Sequence, residues 1–523
     1  MNLGRIPAKT ASLDPEREAL IDIPNDRRMT FGTLDERIRR LANGFCDELN
    51  LSKGDRVAIL SKNCIQYMEV FYACARCGLI AQPLNWRLSE PEMARILEDG
   101  EPSVLIGSEE YAELTQSLAS ATSIPKTLVF TAATDCDYEQ LIASASDAEP
   151  ASSEDVTGDD PVLILYTGGT TGESKGALHS HHSLYMGMLN QSIAERIVPT
   201  DVYMLTGQMF HIPVALAMNY MAHGCPVVLI NFDAKLALEV IQQERVSAFL
   251  GITTMINWMM AVEGFEDYDL SSLRNFQYGG GPMPRSVVEA ALDAFPCTMI
   301  QGYGQTEGMT MTFLSQEDHQ RAITGDHPER LGSCGREGFV SEILVVDPDG
   351  IPVPKDGSAA GEIIVRSEAN MLGYWRRPDL TDKTLRDGWM WTGDIATWDA
   401  EGYVFIVDRA KDMIISGGEN IYSTQVEAAI HQHPAVLESA VFGIPDDTWG
   451  EAVKAVVVLK PGQTATEADI IAEASKHLAS YQKPKSVDFV EALPKAPTGK
   501  ILKRYTLSLH DAFRSSPFFI YCI

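Results

Sequence analysis

The chain has 523 residues, more than one hydrophobic core can use, since single cores stop growing near about 250–300 residues; more than one domain is expected. Hydrophobic residues make up 45 %, the content of an ordinary globular protein. Lys and Arg number 42 against 72 Asp and Glu, and the resulting net charge of −30 argues against nucleic acid as a partner and requires local cations for any anionic ligand.

Residues 1–15 contain no apolar signal core, and no apolar run approaches the ~18 residues of a membrane span. The nine cysteines are scattered without disulfide-framework spacing, which suits a reducing compartment, so a cytoplasmic enzyme is expected. Residues 1–160 alternate helical patterns with short apolar runs such as Arg56-Val-Ala-Ile-Leu60 and Val104-Leu-Ile106. Within the apolar, helical stretch 67–80, Cys74-Ala-Arg-Cys77 is a lone CxxC with no second pair or nearby His, so packing is expected there rather than zinc. The polar stretch 143–160 reads as a loop.

Next comes the apolar run Val162-Leu-Ile-Leu165, followed by Tyr166-Thr-Gly-Gly-Thr-Thr-Gly-Glu-Ser-Lys-Gly176. A strand feeding a loop of small residues lets backbone N–H groups and hydroxyls close around a polyanion, and Lys175 adds positive charge. It is not a Walker loop, because Lys175 is followed by Gly176 instead of Ser or Thr. A flexible surface linker would explain the glycines but not the buried strand before them. Leu178-His-Ser-His-His182 follows at once; were it a strand, His179 and His181 would share a face and His182 would oppose them, a poor metal set.

Strand-like runs at 162–166, 226–230, 248–252, 276–278 and 298–300 recur between helical stretches, which predicts α/β layers with parallel strands and ligand-binding turns at the strand ends. Residues 331–408 read as a β-rich subdomain. Beyond Asp408 a smaller α+β pattern predicts helices at 423–433 and 465–480 and strands at 437–442, 452–459 and 486–490. The expected division is therefore 1–408, a hinge at 409–412 and a small domain at 413–523, whose last residues, 506–523, carry no functional reading.

Five further clusters repeat the phosphate-loop theme: Gln277-Tyr-Gly-Gly-Gly-Pro282, Gln301-Gly-Tyr-Gly-Gln-Thr-Glu307, Trp391-Thr-Gly-Asp394, Asp408-Arg-Ala-Lys-Asp412 and Pro497-Thr-Gly-Lys500. In this order and spacing the chain resembles the adenylate-forming (AMP-binding) superfamily, in particular its acyl- and aryl-CoA ligases, from about residue 30 to 505. The resemblance implies a large domain that binds ATP and a carboxylic acid, and a small mobile domain over that site. It implies that Thr167, Thr170, Thr171 and Lys175 hold the β- and γ-phosphates; Gly169 and Ser174 stand where the family usually has Ser and Pro. By the same resemblance Tyr303 stacks on adenine with Gly279, Gly280 and Gly281 at its other face, Asp394 and Arg409 anchor the ribose, Thr306 contacts the α-phosphate, and Glu307 holds Mg²⁺. Lys500 matches the lysine placed between the two repelling anions, substrate carboxylate and α-phosphate, and His211 matches the histidine beside the carboxylate pocket.

CoA is the expected acceptor. Gly417 and Gly418 resemble the loop lining a pantetheine tunnel, Trp449 resembles its wall, and Lys411 sits at the family's hinge. A core position for Trp449 is the competing reading. Phe210, Ile212, Tyr278, Gly302, Gly308, Met309 and Met311 are the expected acyl-pocket walls, which suit an apolar fatty or aryl acid of unread length; no basic residue points to a dicarboxylate. The alternatives are a carrier-protein-loading adenylation enzyme, a luciferase-like monooxygenase and a non-catalytic nucleotide-binding regulator; joint retention of Lys500, Glu307, Asp394 and Arg409 argues against the last. The partners expected are the small molecules themselves, and a homodimer is one assembly left open.

Overall fold

The computed structural model describes residues 1–133, 135–168, 174–281, 283–416, 419–446, 449–495, 501 and 503. The chain divides into two compact units, residues 1–343 with 364–391, and residues 344–363 with 392–523. The strands Ser341–Val346, Gly361–Ser367 and Trp389–Trp398 each cross that division.

The first unit is built on two sheets. In the nine-stranded sheet the order runs Arg336–Glu337, Met309–Leu314, Thr298–Gln305, Asn275–Gly279, Ala248–Gly251, Tyr203–Leu205, Val227–Leu229, Glu18–Asp22 and Arg27–Thr30. Its six central strands are parallel and both edges are antiparallel. The seven-stranded sheet runs Gly373–Tyr374, Ser174–Ser180, Pro161–Gly168, Ile80–Pro83, Arg56–Leu60, Val104–Ser108 and Lys126–Phe130. Parallel strands covered on both faces must be apolar throughout, and Val57 to Leu60 and Val104 to Ile106 are buried at every position.

One core unites the facing sides of the two sheets, joining Leu20, Leu205, Val227 and Leu229 of one to Val57, Ile59, Leu163 and Leu165 of the other. Helices fill the space between. Ile65–Cys77 is buried on all sides and Pro213–Ala222 nearly so, as helices in a central layer must be. The charged residues this places inside are paired: Glu69 accepts from Arg37 and Tyr138, and Arg76 donates to Asp35, Glu149 and the Gly4 carbonyl. Cys74 and Cys77 lie on this helix, buried. Outer helices cover the remaining faces, around Phe249, Phe276 and Phe295 on the first sheet and around Ala58, Leu60 and Leu105 on the second. The result is the α/β layering the sequence predicts.

The run at 162–166 is a parallel strand, as expected, and belongs to the second sheet: Pro161–Gly168 pairs parallel with Ile80–Pro83 and antiparallel with Ser174–Ser180, so the phosphate motif lies on a β-hairpin. The histidine segment is not one strand. The strand ends at Ser180, whose hydroxyl accepts from Ser183 N–H and caps the helix His181–Glu195.

In the second unit Val436–Asp446 and Gly450–Leu459 form a long antiparallel pair, joined by Ser486–Phe489 in parallel and by the hairpin Ile414–Ser416 with Glu419–Ile421. Helices Ser423–Ile430 and Glu467–Ala474 pack on it through Val426, Ile430 and Ile470 against Val441, Val453, Ala455 and Val457.

Candidate active site

Thr167 and Lys175 sit opposite each other near the hairpin tip, both half-buried. Thr170 and Thr171 lie outside the described residues. The Lys175 ammonium is 5.2 Å from the centroid of the Tyr374 ring, a cation held over an aromatic face.

The motif around Tyr303 is a second hairpin. Thr298–Gln305 and Met309–Leu314 are antiparallel, and Thr306, Glu307 and Gly308 form the turn, closed by Gly308 N–H to the Gln305 carbonyl at 3.2 Å. Met309 exits the turn with φ of 57°, in the left-handed region. Gly304 is obligatory, because a Cβ there would stand 1.9 Å from the Met309 carbonyl oxygen. Tyr303 is buried at 8 % exposure, opposite Thr312.

The Thr306–Glu307 turn is held on several sides. The His179 ring donates from Nε2 to the Thr306 carbonyl at 2.7 Å, and its Nδ1 lies 3.2 Å from Ser183 Oγ. Burial pushes this imidazole down to about 4, so it is neutral: Nε2 carries the proton and Nδ1 accepts from the serine. The Glu307 carbonyl accepts from Met371 N–H at 2.7 Å. The Glu307 carboxylate accepts from the Tyr374 hydroxyl at Oε1, 2.7 Å away. Burial, with the Glu307 carboxylate beside it, pushes the Tyr374 hydroxyl up, so it stays a donor.

Gly279 ends the strand Asn275–Gly279 so close to its neighbour that a Cβ would lie 2.2 Å from the Gly302 carbonyl oxygen. Gly280 and Gly281 follow, exposed, with open space where side chains would be. Bare backbone of this kind accepts a flat ring.

The expected acyl-pocket residues do not all come together. Ile212 and Met309 pack into one core, the one between the sheets. Phe210 is buried, and Gly308 is hemmed by Met311 and Met390, whose atoms would lie 3.0 and 2.6 Å from a Cβ. Tyr278 faces the other way. It belongs to the outer core, where its hydroxyl lies 2.9 Å from His319 Nε2; that ring is neutral, held down to about 4 by burial, with Nδ1 donating to the Ser315 carbonyl. The residue on the inner face is Gln277, beside Leu250 and near Gly302, 5 % exposed and with no partner for Oε1 among the described residues. Alternation along the strand already places 277 and 279 on one face and 278 on the other.

His211 is half-buried, its Nδ1 accepting from Ile212 N–H at 2.8 Å in the turn before Pro213. Asn63 fixes the approach to it: the amide donates to the Gly207 and Ile230 carbonyls at 2.8 and 3.0 Å and accepts from Met209 N–H at 2.9 Å. Asn63 and Tyr374 lie in no quoted motif, Gln277 heads one without a role assigned to it, and the sequence presents His179 only as a weak metal candidate. Nothing local in the sequence marks Asn63, whose partners are well over a hundred positions away.

In the second unit, Asp394 and Arg409 stand opposite each other on adjacent strands, and Arg409 Nε lies 3.0 Å from Asp394 Oδ1. Asp408 is turned inward instead, accepting from Ser423 N–H and Oγ and tying the strand end to the helix Ser423–Ile430. Residues 409–413 form a turn in which Asp412 and Met413 N–H donate to the Arg409 carbonyl; Lys411 is exposed on it. Trp449 is 53 % exposed, next to Gly450 at the start of a strand, which rules out the core reading. Gly417, Gly418 and Lys500 lie outside the described residues.

The sequence model of the family described as AMP-binding enzyme matches residues 8–375, and that of the AMP-binding enzyme C-terminal domain matches residues 425–500. The chain belongs to the AMP-binding enzyme family. It is 36 % identical to a feruloyl-CoA synthase of an Amycolatopsis species, over 96 % of this chain and 97 % of that protein. It is 34 % identical to the long-chain-fatty-acid–CoA ligase FadD13 of Mycobacterium tuberculosis, with the same coverage. Among solved structures it matches ATP-bound MatB from Rhodopseudomonas palustris with a TM-score of 0.86 and 27 % identity, over 98 % of this chain and 99 % of that one. The chain is an AMP-forming acid–thiol ligase of this family. No described helix is long and apolar enough to cross a membrane.

Proposed function

We propose that this ligase joins an apolar fatty or aryl carboxylate to CoA through an enzyme-bound acyl-adenylate, releasing pyrophosphate and then AMP, and that it acts in the cytoplasm. One observation carries the nucleotide site: Lys175 of the phosphate hairpin and Glu307 of the second hairpin converge on the same tyrosine, Tyr374. A cation for phosphates and a carboxylate for a metal are thus brought together from segments more than 130 residues apart.

The residues fit Mg²⁺. No group of three or more His, Cys, Asp or Glu forms an all-protein cage among the described residues. Mg²⁺ is commonly held by one or two carboxylates with waters and substrate phosphates completing its shell, and Glu307 is a half-buried carboxylate suited to that. When bound, the ion neutralises phosphate charge. Thr167 and Lys175, with Thr170 and Thr171, take the β- and γ-phosphates; Thr306 takes the α-phosphate; Tyr303 and Gly279 to Gly281 enclose the adenine. Asp394, oriented by Arg409, receives the ribose hydroxyls. Lys500 offsets the repulsion between carboxylate and α-phosphate as charge shifts in adenylation.

His211, Phe210, Ile212, Gly302, Gly308, Met309 and Met311 shape the acid site, and Gln277 replaces Tyr278 in that role. Gly417, Gly418 and Trp449 admit the thiol, and a swing about 409–412 separates the two half-reactions.

A panel of straight-chain, aryl and hydroxyaryl acids, each with ATP, Mg²⁺ and CoA, tests the proposal by mass spectrometry. Free CoA thioester with AMP from an apolar member is expected. ADP as the nucleotide product, or thioester formation only on a carrier protein, would contradict it.

A further inference from the structure

The backbone around Tyr374 leaves its side chain little choice. The strand Gly373–Tyr374 pairs antiparallel with Ser174–Ser180, placing Tyr374 opposite Ala177, two residues from Lys175. Leu372 and Trp375 N–H donate to the Leu178 and Gly176 carbonyls at 2.8 and 2.7 Å, so the strand is pinned to the phosphate hairpin at both ends. Tyr374 N–H is occupied by Thr381 Oγ1 at 2.9 Å. Three residues earlier, Met371 N–H holds the Glu307 carbonyl. One short segment therefore grips both hairpins, and Tyr374 touches the functional group of each.

We propose that Tyr374 is a positioning residue for adenylation: its hydroxyl aims the Glu307 carboxylate at Mg²⁺, and its ring seats the Lys175 ammonium at the phosphates. This rests on the metal and phosphate roles proposed above for Glu307 and Lys175. A carboxylate on a hairpin turn can rotate, and a hydrogen bond to Oε1 fixes its plane before the metal arrives; outer partners of this kind are typically worth about 10–100-fold in metal affinity or activity. A ring that only filled space would be replaced by phenylalanine without effect, so the hydroxyl is the discriminating atom.

The test uses the full chain with Mn²⁺ as an electron-paramagnetic-resonance probe and a non-hydrolysable ATP analogue. Tyr374→Phe keeps the ring, so its melting temperature and its affinity for the analogue at saturating Mn²⁺ should stay near those of the wild type. Its Mn²⁺ affinity should fall roughly tenfold, with a matching rise in the Mg²⁺ needed for half-maximal adenylation. Tyr374→Leu, which also removes the ring beneath Lys175, should in addition weaken analogue binding. Glu307→Gln is the reference. Unchanged Mn²⁺ affinity in Tyr374→Phe alongside a loss in Glu307→Gln would overturn the positioning role and leave Tyr374 a packing residue. Unchanged affinity in Glu307→Gln would overturn the assignment of Glu307 itself, whatever Tyr374→Phe does.

Discussion

Asn63 is 2 % exposed, and its amide ties Gly207 and Met209, on the backbone that leads into Phe210, His211 and Ile212, to the Ile230 carbonyl. Asn63→Ala would strand two carbonyls and one N–H in the interior, at about 1–3 kcal/mol for each group that water cannot reach. With partial relaxation the expected loss of stability in urea unfolding is roughly 2–4 kcal/mol. Because the segment it holds borders the proposed acid site, KM for the acid should rise more than kcat falls. An alanine variant as stable as the wild type, with an unchanged KM, would show that the segment needs no such anchor. His179 illustrates the same logic by another route: a neutral imidazole fixes the Thr306 carbonyl, and its full burial distinguishes it from His182 three residues on, which is half-buried and faces Glu368.

The helix His181–Glu195 carries buried titratable groups at both ends, and their signs oppose. His181, like His179 just before the helix and His319 elsewhere, is held neutral by burial, down to about 4 from an ordinary 6.5. The unfolded chain protonates these rings first, so stability is lost as pH falls from 6.5 towards 4. Glu195 runs the other way. Burial among Tyr220 and Gln191 pushes it up to about 7 from 4.5, so its contribution is complete below 4.5 and is lost as pH rises through 7. Three groups outweigh one, and the melting temperature should fall on acidification below pH 6.5. Glu195→Gln removes the opposing slope: the acid fall should steepen, and the decline between pH 6.5 and 7 should flatten. Superimposable melting profiles of the two proteins would mean that Glu195 is ionised in the folded state.

At the scale of the molecule, the α/β class and most strands were legible because buried parallel strands must be continuous apolar runs; Arg56–Leu60 and Ala248–Gly251 fall within a residue of their expected limits. The return of the phosphate loop as a hairpin was not, since glycine and threonine report freedom at a turn and nothing about the direction of the strand after it. Tyr278 was placed on the wrong side of its strand because motif spacing was followed instead of the two-residue pleat. Asn63 and Tyr374 were invisible for a plainer reason: their partners are made neighbours by the sheets, and no local pattern encodes them. The central claim is that the acid is activated as its adenylate, and isotope transfer tests it most directly. An accepted acid labelled with ¹⁸O in its carboxylate should deliver one labelled oxygen to AMP for each thioester formed, because the carboxylate oxygen attacks the α-phosphorus and stays there when the thiol displaces AMP. Label in pyrophosphate or inorganic phosphate, with none in AMP, would contradict the account.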